Sequence, residues 1–137
     1  GMKLNIPIKK GAKELCDLLK SQNYKIIIIS ARPYYKYSRI FSDTLQWLNK
    51  NQIQFDAVYF EKDKHLKILK EFPNLSFIVE DNPLYAKQIA DLKYKVFLLM
   101  NESEEEYETE LRKKLESDEN IVLVDSLFDI IKQKIDN

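Results

Sequence analysis

Four isoleucines in a row, Ile26 to Ile29, constrain this chain more than any other stretch. Isoleucine is branched at Cβ and fits a pleated strand better than a helix. Successive side chains of a strand point to opposite faces, so this run needs apolar cover on both sides. That is the condition of a parallel sheet with helices above and below it. "FDAVYF", "SFIVE", "YKVFLLM" and "NIVLVD" read as further strands. Between them lie amphipathic segments of helical period. "GAKELCDLLKSQN" puts Ala12, Leu15, Cys16, Leu18 and Leu19 on one face, and "SRIFSDTLQWLNKN" does the same with Ile40, Phe41, Leu45 and Leu48. "KHLKILKEF", "PLYAKQIADL", "SEEEYETELRKKLES" and "SLFDIIKQKI" complete the set. Pro83 suits a first helical position, and Ser103 with Glu106 matches a capping box. Strands alternating with helices predict right-handed βαβ units around a parallel sheet.

A length of 137 residues suits one domain over 1–137. Apolar residues make up 45% and charged residues 32%, an ordinary globular composition. Lysine and arginine number 22 and so do the acids, which leaves no net basic charge to favour a nucleic acid polymer. No apolar run approaches the ~20 residues of a membrane span. Cys16 is the single cysteine; it can form no internal disulfide, and a reducing, cytoplasmic setting is expected.

In parallel sheets functional groups gather beyond the carboxyl ends of the strands. The isoleucine strand ends in Ser30, Ala31, Arg32 and Pro33. "FDAVYF" runs into Glu61, Lys62, Asp63 and Lys64, and "SFIVE" ends in Glu80, Asp81 and Asn82. A hydroxyl, a lysine at a helix start and two adjacent carboxylates suit a phosphate with a divalent cation. Mg²⁺ takes hard oxygen ligands, commonly one or two carboxylates plus water and phosphate oxygens. Plainer roles fit the same residues: Glu80 and Asp81 as a strand-to-helix turn, Ser30 as a cap, Lys64 as a surface lysine. Tyr34, Tyr35 and Tyr37 suit a sheet edge or stacking on a base. Trp47 is expected in the core or at its rim, and His65 at the surface.

The order of "SARP", "TLQWLNKNQIQFD" (Thr44 to Asp56), "DKHLKILKEF" and "FIVEDNPLYAKQIA" resembles motifs two to four of the haloacid dehalogenase (HAD) superfamily. Within it, the deoxyribonucleotidase-like (5′-nucleotidase C type) bacterial phosphatases are closest in pattern. The resemblance covers the chain from about Ile6 onward. It implies a three-layer Rossmann-like α/β fold, a parallel sheet flanked by helices, without a large cap. It also implies Mg²⁺-dependent hydrolysis of phosphomonoesters or nucleotides, with a phosphorylated small molecule as ligand. Ser30, Ala31 and Arg32 would bind phosphate. Lys64 would be the catalytic, nucleophile-positioning lysine, with Lys67 one turn on as the alternate. Glu80 and Asp81 would be the metal-side acids.

One part of the pattern is missing. Phosphatases of this superfamily carry the attacking aspartate in a D-x-D motif on the first strand, and no D-x-D precedes Ser30. "KLNIPI" alternates only partly and contains Pro7, so it reads as a lead-in to the first helix. The first catalytic strand is then missing from the centre of the sheet. The exposed sheet edge would invite a homodimer. Three explanations stand: a piece of a longer enzyme, a pseudoenzyme that keeps a phosphate or cation site, or a shared fold with another role.

Overall fold

In the computed structural model, residues 2–4, 10–31, 40–100, 110 and 113–135 are described. The isoleucine run forms β2 (Ile26–Ser30), and its four isoleucines are all buried. Ile26 and Ile28 belong to one core cluster, and Ile27 and Ile29 to the other. Two-sided cover is thus realised residue by residue. β4 (Phe77–Glu80) and β5 (Val96–Leu99) are buried along their whole length for the same reason. β3 (Ala57–Phe60) and β6 (Ile121–Val124) are partly exposed, as the outer strands of a sheet should be.

The helices are α1 (Ala12–Ser21), α2 (Ile40–Lys50), α3 (Lys64–Glu71), α4 (Pro83–Ala90) and α5 (Leu127–Ile135). Residues 113–116 add a helical turn before β6. Leu15, Cys16 and Leu19 of α1, Leu48 of α2, and Leu127 and Ile130 of α5 pack on one face of the sheet. Ile68 of α3, Ala86 and Ile89 of α4, and Leu115 pack on the other. The result is a three-layer α/β architecture of the Rossmann-like kind. Burial pushes the Cys16 thiol up to about 12, so it behaves as a small apolar side chain.

The sheet has six strands in the order β3-β2-β1-β4-β5-β6, every neighbouring pair parallel. β1 (Met2–Leu4) corrects the expectation of a missing central strand. Met2 pairs with both Ile26 and Phe77, and Lys3 with both Ile27 and Ile78. Three residues suffice because the ladders on both sides satisfy their backbone groups, whatever their weak alternation suggests. The gap from which a homodimer edge was inferred is filled by the chain itself.

Trp47 also departs from expectation: it is 41% exposed, because its neighbour Leu48 holds the inward position of α2. Leu18 and Leu45 are half-buried rather than fully inward. The proposed capping box at Ser103 and Glu106, and the tyrosines Tyr34, Tyr35 and Tyr37, lie outside the described residues, as do the side chains of Ile40 and Phe41.

Gly11 precedes α1 with φ of 98°, in the left-handed region. A Cβ there would stand 3.2 Å from the Phe128 ring of α5. Backbone conformation and close packing of α1 on α5 therefore both call for glycine.

Candidate functional site

The chain builds β1, β2 and β3 outward in one direction, then returns to build β4, β5 and β6 in the other. The strand order reverses between β1 and β4, and such a switch point opens a crevice beyond the carboxyl ends of the strands. β4 ends there with Glu80. Alternation sends Phe77 and Val79 to the α1 side and Ile78 to the α3–α4 side. Glu80 follows Ile78 by two and so shares its face.

Lys64 is the first residue of α3, on that same face. Its Nζ lies 3.1 Å from Glu80 Oε1. Side-chain exposure is 4% for Lys64 and 0% for Glu80, so this is a buried ion pair and no surface lysine. The Tyr85 ring faces the same ammonium, its centroid 4.3 Å from Nζ. Burial pushes the Lys64 pKa down, while Glu80 and then Asp81 pull it back up.

The turn that follows β4 is held by its neighbour in sequence. Asn82 Oδ1 accepts from the backbone N–H of Leu84 at 2.9 Å and of Tyr85 at 3.3 Å. Asn82 is thus the N-cap of α4, and Pro83 takes the first helical position. Glu80 and Asp81 stand at the strand-to-helix turn, but neither is needed as its cap. Asp81 is half-buried beside the pair.

The two candidate lysines part company here. Lys67 pairs with Glu71 and, at 3.9 Å, with Glu61, and its Nζ sits 4.3 Å from the Tyr59 ring centroid. It serves the β3 side of the helix, whereas Lys64 meets the acid at the switch point. Ser30 ends β2 opposite Phe60, and its carbonyl accepts from Glu61 N–H at 2.8 Å. It stands at the same carboxyl edge as Glu80 but two strands away, about 10 Å by strand spacing. Alternation places it on the α1 side. Ala31 follows at the edge, half-buried, and Arg32 lies outside the described residues. The structure therefore joins Lys64 to Glu80 and sets Ser30 along the same rim without placing it on their face.

Tyr85 is the residue that sequence reasoning passed over. Its signal was its position in the first turn of a helix capped by Asn82, directly after the two acids. His65 is half-buried rather than at the surface, and its Nδ1 is buried without a hydrogen-bond partner among the described residues.

Among the described residues, no group of three or more histidine, cysteine, aspartate or glutamate side chains is arranged to hold a metal ion. Glu80 already places one oxygen against an ammonium. No helix among the described residues is long and apolar enough to cross a membrane. Compared with protein-family models and with curated proteins, the sequence finds no match in either.

Proposed function

We propose that this chain is a HAD-like domain that binds a phosphorylated small molecule at the carboxyl edge of its sheet without hydrolysing it. The observation that carries this reading is the buried Lys64–Glu80 pair beside the switch point. A buried lysine at a helix start opposes the helix dipole and is desolvated as well, a combination that favours a site over a scaffold role. The ammonium has three donors, and Glu80 engages it at one carboxylate oxygen. The strand order lends further support: β1 lies between β2 and β4, where the HAD resemblance expects the first strand. Ser30, Lys64 and the Glu80–Asp81 pair also follow one another along the chain in the order of motifs two to four.

The absence of hydrolysis follows from the sequence next to β1. In the parent superfamily an aspartate carboxylate at this strand end attacks phosphorus. Here Leu4 is followed by Asn5, Ile6 and Pro7, which carry no carboxylate. An anion near Lys64 also meets the charges of Glu80 and Asp81, so its affinity alone is expected to be modest. Mg²⁺, which the resemblance implies, would supply charge neutralisation for a bound phosphate; it enters here only as a variable in the test.

The test is a thermal melt with inorganic phosphate, with and without millimolar Mg²⁺. Phosphate at ten times its Kd adds about 1.4 kcal/mol, a rise of a few degrees in Tm. The double variant Lys64→Met/Glu80→Gln should lose that rise. No rise in the wild type at any tested concentration overturns the binding reading. Turnover of p-nitrophenyl phosphate overturns the non-catalytic part.

A further inference from the structure

We infer that Tyr85 is the positioning residue for Lys64, its ring holding the ammonium in place at the switch point. As it concerns the site just described, the ligand half of this inference rests on that reading. Three observations carry it. The Lys64 Nζ lies 4.3 Å from the Tyr85 ring centroid, within the range of a cation–π contact. It is nearly excluded from water, where such a contact is strongest. And the backbone that carries the ring is anchored, because Asn82 Oδ1 accepts from the Tyr85 backbone N–H at 3.3 Å and fixes the first turn of α4.

The ammonium is therefore held from two elements at once. Glu80 reaches it from β4 and Tyr85 from α4, while its own backbone belongs to α3. A lysine has four rotatable side-chain bonds, and Glu80 alone contacts the ammonium at one oxygen. The ring adds a second constraint that requires its π face and makes no use of the hydroxyl. Preorganising a charged donor reduces the entropy lost when a ligand binds it. Lys67 makes the same kind of contact with Tyr59 at 4.3 Å, one turn further along α3. It is a built-in reference that Tyr85 substitutions should leave untouched.

The experiment compares Tyr85→Phe with Tyr85→Leu in the full chain. The first readout needs no ligand: the NMR order parameter of the Lys64 side-chain Cε methylene, with that of Lys67 as reference. The second is the Kd for inorganic phosphate by calorimetry. The inference expects Tyr85→Phe to keep both the order and the affinity. Tyr85→Leu should lower the order of Lys64, leave that of Lys67 alone, and weaken phosphate about three- to tenfold. A residue that merely fills space would lower Tm in Tyr85→Leu without changing either readout, and that result overturns the inference. Equal phosphate affinity in Tyr85→Leu and wild type overturns it too. If the wild type binds no phosphate, the ligand reading fails, and the order-parameter comparison alone decides whether Tyr85 seats Lys64.

Discussion

Lys64 and Glu80 are both buried and form an ion pair, and each makes the other's burial less costly. Removing the lysine takes the ammonium away from a buried carboxylate. Lys64→Met should accordingly destabilise the fold by about 3–5 kcal/mol, read from urea unfolding. Adding Glu80→Gln removes that charge, so the double variant should recover a good part of the loss. Equal midpoints for the single and double variants would show that the two charges do not meet. Sequence alone put Lys64 first and Lys67 as the alternate, since both lie on one helix a turn apart. What separates them is the placement of α3, which brings the helix start to Glu80. Cys16 was legible at this scale, because it sits on the apolar face of an amphipathic run and has no second cysteine to answer it.

At the scale of the element, two helices close with the same device. After α2, Gln52 N–H donates to Asn49 O at 3.0 Å and Ile53 N–H to Leu48 O at 2.9 Å, a Schellman motif with Gln52 at φ 58°. After α1, Asn23 N–H donates to Lys20 O at 3.0 Å and Tyr24 N–H to Leu19 O at 2.9 Å, with Asn23 at φ 68°. In both motifs the residues joined by the bond of wider span share one core cluster, Leu48 and Ile53 within it and Tyr24 packed against it with Leu19 inside. Asparagine tolerates the left-handed region and glutamine does so less readily. Gln52 is exposed. Gln52→Gly should therefore stabilise the protein by about 0.5–1 kcal/mol, raising Tm by a few degrees. A lower Tm would mean that the glycine's extra freedom in the unfolded chain outweighs the relief. The start of α4 was readable from Pro83, while its cap, Asn82, was read only as a turn former. That of α1 was less so, since Gly11 caps with no side chain.

Across the whole molecule, β1 is the piece that joins the two halves of the sheet. β2 and β3 lie on one side of it, and β4, β5 and β6 on the other. Lys3 is the middle residue of β1 and pairs with Ile27 and Ile78 at once. A proline there removes a donor from a central ladder, a position that prolines do not occupy in sheets. Lys3→Pro should cost about 3 kcal/mol or more and abolish or sharply lower the cooperative thermal transition seen by circular dichroism. An unchanged melt would mean that β1 does not hold the sheet together. The isoleucine run, the apolar strands and the helical faces determined the three-layer α/β architecture from sequence alone, because burial on one or two faces leaves a local period that each segment carries by itself. The strand that fills the centre, the lysine that meets Glu80 and the tyrosine that covers it were decided only by tertiary structure. Each depends on a partner far along the chain, Met2 on Ile26 and Phe77, and Lys64 on Glu80 and Tyr85. A three-residue strand is too short to show a period of its own, and a lysine's partner is chosen by which elements the crossovers bring together.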